Sequence, residues 1–166
     1  MSLGSLLDPH RRWMELALRE AEAAFDAGEV PVGAVVVRGG QLLGRGQNRV
    51  ERLKDPTAHA ELLAVTAACE ALGEKYLAGC TLYATLEPCP MCAGALVWAK
   101  VPRLVFGAFD EKAGACGTLY NLPEDGRLNH RIETVSGVEA DRAAGLLRAF
   151  FRQRRAGDGA IRGGGG

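Results

Sequence analysis

Four side chains in two short segments have the types and the spacing for metal-assisted proton chemistry. His59 and Glu61 lie in Pro56-Thr57-Ala58-His59-Ala60-Glu61, and Cys89 and Cys92 in Leu86-Glu87-Pro88-Cys89-Pro90-Met91-Cys92. Imidazole nitrogen and thiolate sulfur are good zinc ligands, and a catalytic zinc takes three protein ligands and leaves its fourth position to water. His59, Cys89 and Cys92 supply three. Cys89 and Cys92 stand three apart, so in the first turn of a helix they share a face. The exposed N–H groups and dipole of a helix N-terminus also favour thiolate over thiol. His59 and Glu61 stand two apart, a spacing that at a helix start lets the imidazole hold the metal while the carboxylate reaches beside it. Glu61 is then a proton carrier and not a ligand. Zinc lowers the pKa of its water to roughly 7. Glu61 would take a proton from that zinc-bound water, the nucleophile, and deliver protons to the substrate and its leaving group.

Blander readings compete with this one. A lone His at a helix start is usually a surface or capping residue, and a lone C-x-x-C often marks structural zinc or a redox pair. Structural zinc needs a fourth protein ligand; Cys69, Cys80 and Cys116 are available, but none sits in a second C-x-x-C. A redox pair leaves the His-Ala-Glu stretch unexplained.

Composition bounds the rest. The 166 residues fit one domain able to bury a proper core. A formal net charge of zero lacks the basic excess that announces nucleic acid, although it leaves room for a local basic patch. Five cysteines without framework spacing suggest a reducing compartment. No secretory signal pattern and no membrane-length apolar run is present, so a cytoplasmic protein without a membrane partner is expected.

The elements that must position the four side chains follow from local patterns. Asp8-Pro9 reads as the N-cap and first residue of a helix, with an apolar stripe from Trp13 to Phe25 and a stop at Gly28. Val30 to Val37 reads as a buried strand, Gly39-Gly40 as a hairpin turn and Gln41 to Asn48 as the returning strand. Asn48 then closes that strand just before the polar loop to His59, where it is either a turn residue or a substrate contact. Thr57 or a neighbour caps a helix from about Ala58 to Leu72, with Leu62, Leu63, Val65 and Ala68 on its apolar face and Gly73 as its stop. Thr81 to Thr85 is a strand, Cys89 to Ala99 a helix and Arg103 to Ala108 a strand. Strand–helix–strand–helix–strand argues for parallel strands with right-handed crossovers added to an antiparallel hairpin. Both ligand-bearing helices then begin at carboxyl ends of strands, where open α/β sheets hold their sites. Phe109 to Leu122 is an irregular loop of a length that is often functional. Arg131 to Ser136 is a last strand. Ser136-Gly137-Val138-Glu139 fits a capping box for a final helix to about Arg155, whose Arg152, Arg154 and Arg155 read as a solvated face. A single domain is thus expected over residues 8–155, and 156–166 as a flexible glycine-rich tail.

His-x-Glu followed by Pro-Cys-x-x-Cys is the signature of the zinc nucleobase deaminases, and over roughly residues 10–155 the sequence resembles the bacterial tRNA-specific adenosine deaminases. Pro31 to Val37, Asn48-Arg49, Asp55 to Glu61 and Thr85 to Ala95 are shared widely among cytidine-deaminase-like proteins. Gly107 to Gly117, Leu128 to Arg131 and Phe150-Phe151-Arg152 resemble the tRNA-editing branch more than the free-base or free-nucleoside branches. The resemblance implies a three-layer α-β-α cytidine-deaminase-like fold, with a five-stranded mixed sheet and helices on both faces. It implies a homodimer with one zinc per subunit, acting on a tRNA anticodon stem-loop to convert the wobble adenosine to inosine. By the same resemblance Asn48 contacts the target base or ribose and the Ala60 backbone meets the base edge. Asp110 lies near the substrate backbone and Phe150 or Phe151 near a flanking nucleotide. Two positions depart from that branch: Phe109 stands where arginine is common, and Cys116 where a small non-thiol residue is. Deamination of a free base or nucleoside is the alternative, because the metal chemistry would be the same. A stacked base must in any case flip out to reach the metal.

Overall fold

A computed structural model describes residues 3–162, with side chains from 9 to 158. Helix α1 (Leu3–Asp26) leads to strands β1 (Gly33–Arg38) and β2 (Gln41–Gln47), a short helix α2 (Val50–Leu53) and helix α3 (Ala60–Leu72). Strand β3 (Thr81–Leu86), helix α4 (Pro90–Trp98), strands β4 (Arg103–Ala108) and β5 (Glu133–Val135) and helix α5 (Ala140–Arg162) follow. The sheet order is β2-β1-β3-β4-β5. β1 is antiparallel to both β2 and β3, and β3, β4 and β5 are parallel. Two reversals across β1 therefore put the carboxyl end of β2 on the same edge as those of β3 and β4. The residues that follow those ends (Asn48, Glu87 and Phe109-Asp110) meet along one rim.

Alternation along the strands divides the core into two layers. Ala34, Val36, Leu82, Ala84, Leu104 and Phe106 face α3 and α4. Val35, Val37, Tyr83 and Val105 face α1 and α5. This is the three-layer mixed sheet that the resemblance implied. Gly39 and Gly40 both take positive φ, 55° and 76°, as the tight turn between β1 and β2 requires.

Several local expectations are corrected. α1 starts at Leu3 and runs through Pro9, so Asp8 is not its cap; the following long amphipathic stripe outweighs one missing N–H. Thr57 does not cap α3. Its N–H and hydroxyl both donate to Asp55 Oδ1, closing a turn, and His59 occupies the N-cap position. The capping box at Ser136 does not form, because Gly137 and Glu139 have φ of 82° and 56°, which no helical turn accepts. α5 continues past Arg155 to Arg162, so residues 156–162 of the expected tail are helical. Isolated glycines such as Gly157 and Gly159 cost only about 1 kcal/mol each in a helix. The last four glycines, 163–166, lie outside the described residues.

The buried face of α3 is Ala60, Ala64 and Ala68, while Leu62, Leu63 and Val65 are half-buried. The reason is close approach. A Cβ on Gly46 would lie 2.1 Å from the Ala60 carbonyl oxygen, and one on Gly44 2.6 Å from that of Ala64. Only alanine fits opposite bare backbone. Gly46→Ala is expected to push the first turn of α3 outward and to destabilise the protein by about 1–3 kcal/mol, the usual overpacking cost. Chemical denaturation measures it, and wild-type stability would refute this packing.

Candidate metal centre and substrate pocket

His59 and Glu61 reach the rim from the start of α3. Cys89 and Cys92 reach it from the start of α4, where Cys89 is the N-cap residue and Pro90 opens the first turn. The His59 Nδ1 lies 3.6 Å from Cys89 Sγ and 3.4 Å from Cys92 Sγ. All three donor atoms fall within 4.8 Å of one another, the one such triad among the described residues. Tetrahedral zinc with ordinary bond lengths would separate sulfur and nitrogen by roughly 3.6 Å, so the spacing fits. Cys69, Cys80 and Cys116 do not join the triad, which leaves three protein ligands and argues against a closed structural site.

The electrostatics agree with a cation at this spot. Cys89 is pushed down to about 4, first because the Cys92 thiol donates to its sulfur and then, against burial, by His59. Cys92 is pushed up by the same pairing and by burial. His59 is pushed up, mainly by its pairing with Cys89. Glu61 is 4 % exposed and burial raises its pKa. Its Oε1 has no hydrogen-bond partner. Such orphaned buried oxygens are rare in native proteins. Beside two sulfurs and an imidazole, a bound cation with its solvent would account for this one. Cys116 is buried and pushed up to about 12 by that burial, a packing thiol outside the triad.

The triad opens into a cavity of 440 Å³. Asn48, His59, Glu61, Asp110, Phe150 and Phe151 all line it, so the structure brings together every expected substrate-side residue except Ala60. The Ala60 N–H donates instead to Asn48 Oδ1 at 2.9 Å, which fixes the Asn48 amide with its NH₂ group free to serve the cavity. Asn48→Ala would leave that buried N–H without an acceptor. A loss of about 1–3 kcal/mol is expected, read as a lowered Tm; an unchanged Tm would show that the bond contributes nothing. Asp110 Oδ1 accepts from the backbone of Lys112 and Ala113, so its side chain is held in a turn at the rim. Phe150 is buried, edge-on to both Phe25 and Phe151, whereas Phe151 is half exposed at the mouth. Phe109 is exposed, packs edge-on against Phe106 and is not part of the lining.

Three lining residues escaped the sequence reading. Arg154 stacks on Phe150 at 4.8 Å and donates to the Gly28 carbonyl at 2.7 Å, so it is a wall of the cavity and not merely a solvated charge. Its spacing of four from Phe150 was the available signal. Glu29 is 2 % exposed and accepts the N–H groups of Glu51 and Arg52, holding the start of α2. Glu87 is equally buried and accepts from the 110–118 loop. A carboxylate directly flanking an apolar strand was the clue in both cases.

The chain is similar along most of its length to known deaminases. The family model of the MafB19-like deaminases matches residues 8–155. The tRNA-specific adenosine deaminase of Bacillus subtilis (strain 168) is 51% identical over 143 residues, covering 86% of this chain and 89% of the relative. A solved structure from studies of A-to-I editing by tRNA:A34 deaminases at the wobble position of transfer RNA superposes with a TM-score of 0.79 at 43% identity, over 82% of this chain and 99% of that one. A guanine deaminase from Nitrosomonas europaea superposes with a TM-score of 0.74 at 29% identity, over 84% of this chain and 83% of that one. The chain therefore belongs to the MafB19-like deaminase family and, within it, to the bacterial tRNA-specific adenosine deaminases, enzymes of hydrolytic C–N cleavage.

Proposed function

We propose that this enzyme converts adenosine to inosine at the wobble position of a tRNA anticodon, as a cytoplasmic homodimer holding one zinc per subunit. The observation that carries the proposal is the convergence of His59, Cys89 and Cys92 beside the orphaned Glu61 oxygen, at the floor of a cavity that Phe151 and Arg154 also line. His59 Nδ1 and the two sulfurs would hold the ion. When bound, zinc supplies an acidified water at neutral pH. Glu61 accepts one proton from water at its free Oε1 and hands it to the purine ring, then takes the second from the hydroxyl now on the ring carbon and hands it to the leaving ammonia. Its burial suits both steps, because desolvation brings a carboxyl group toward the pKa of a reversible proton carrier. Asn48, pinned by Ala60, orients the base through its amide; Ala60 meets the base edge only through this neighbour. Phe151 offers a stacking surface, worth about 1–3 kcal/mol per base, backed edge-on by the buried Phe150, and Arg154 a charge for the phosphodiester. Asp110 faces the RNA backbone from the opposite rim. No described helix is long and apolar enough to cross a membrane.

Incubation of the zinc-loaded enzyme with an anticodon stem-loop, and separately with free adenosine, guanine and cytosine, tests the substrate. Inosine at the wobble position is expected in the RNA, with little turnover of the free compounds. Turnover of guanine without turnover of the stem-loop would replace this reading by free-base deamination.

A further inference from the structure

Glu87 stands between the end of β3 and the first cysteine ligand, and its side chain does no chemistry in the scheme above. It is nonetheless 2 % exposed, and its two oxygens are fully engaged. Oε1 accepts from the Asp110 N–H at 3.1 Å and from the Thr118 hydroxyl. Oε2 accepts from the N–H groups of Cys116 at 3.0 Å and Thr118 at 3.1 Å. All four donors belong to the irregular loop after β4. The backbone of the same segment adds to this: Glu87 N–H donates to the Ala108 carbonyl, and Ala115 N–H donates to the Pro88 carbonyl. Gly114 completes the fit, since a Cβ there would lie 2.4 Å from the Glu87 carboxyl group. An ionised carboxylate is the one side chain of this size that accepts on both oxygens and donates on neither. Bonds from N–H to a charged acceptor are stronger than neutral ones. A loop that lacks regular structure is thus fastened at both ends to the segment that delivers Cys89.

We infer that Glu87 is a positioning residue for substrate binding: it fixes the 110–118 loop so that Asp110 is presented to the RNA in register with the metal ligands. The inference rests on the reading that Asp110 faces RNA. It adds the device that sets Asp110 in place, and it separates binding from chemistry, because the four bonds reach the rim and not Glu61.

Glu87→Gln tests it. The amide has the same shape but turns one acceptor into a donor, so N–H groups of the loop then face an NH₂ group. Zinc content is expected to remain one per chain. KM for the anticodon stem-loop is expected to rise about tenfold or more, with kcat nearly unchanged. Amide hydrogen exchange should accelerate at Asp110, Cys116 and Thr118 while that of α4 stays as in the wild type. Asp110→Ala should raise KM similarly, and the double variant should be no worse than the more severe single one. Gly114→Ala, which leaves the charge intact but displaces it, should reproduce the phenotype. Wild-type KM in zinc-replete Glu87→Gln would overturn the inference, as would additive effects with Asp110→Ala. Should Glu87→Gln fail to fold, Gly114→Ala and Thr118→Val decide: a fall in kcat together with zinc loss in both would make the contact merely structural and refute the proposal. Failure of the wild type on the stem-loop would instead remove the RNA reading. Unchanged exchange at the loop amides would then overturn the anchoring role as well, while faster exchange, with a raised KM for whichever base is turned over, would uphold it.

Discussion

Glu61→Gln is expected to lower kcat for the stem-loop by about 10²–10⁴-fold, the usual worth of a positioned general acid–base group, while the protein keeps its zinc. The two halves of that expectation come from different observations. Glu61 lies one turn-start away from His59 but supplies no atom to the His59–Cys89–Cys92 triad, so its loss removes no ligand. Its Oε1 is buried without a partner, so it is free to take up and release a proton. The same lack of a partner costs stability, because burial penalises the charged form. Before metal is added, Glu61→Gln is therefore also expected to raise Tm, a trade of activity against stability that is common at active sites. Steady-state kinetics, metal analysis and a thermal melt on one preparation settle all three. Substantial activity in a zinc-replete Glu61→Gln variant would remove this residue from the proton path.

The second large effect is loss of the metal itself. Cys89→Ser, Cys92→Ser and His59→Ala are each expected to drop zinc from one per chain to near none after dialysis, and activity with it. Each removes one of only three protein ligands, so the affinity loss should exceed the roughly 10–100-fold that an outer partner of a ligand is worth. The cysteines are not equal in the protein. Cys89 caps α4 and its thiol is already acidified, to about 4, whereas Cys92 is buried one turn in and held protonated by its neighbour. Zinc uptake must displace that proton, so binding should release acid and weaken as pH falls. Retention of stoichiometric zinc by any of the three variants would mean that another residue completes the site.

Most of the ligand set was legible in the chain because its geometry is local. Cys89 and Cys92 share a helix turn, and His59 and Glu61 share a helix start, so spacing alone fixes each half. Strand identities were equally readable, from alternation and glycine turns. What the chain could not express was how the halves meet. That required β1 to reverse the sheet twice, bringing the carboxyl ends of β2 and β3 to one edge. The helix caps were misread for a related reason. Thr57 is used up in a turn with Asp55, and positive φ at Gly137 and Glu139 delays α5 to Ala140. The first is a local side chain–backbone turn, and the second goes with bonds from the Gly137 and Val138 N–H groups to carbonyls of β4, at Gly107 and Phe106.

The sequence by itself determined the deaminase lineage and pointed to the proposed metal site and reacting carboxylate, since each is written in residue types at short range. The tertiary structure alone decided which charges serve the cavity. Arg154 became a wall by stacking on Phe150 and reaching Gly28, 126 residues away in the chain. Glu29 and Glu87 became anchors because each is buried among backbone N–H groups of a distant loop. A buried carboxylate is tolerable only where donors converge on it, and convergence across long separations is a property of the folded chain.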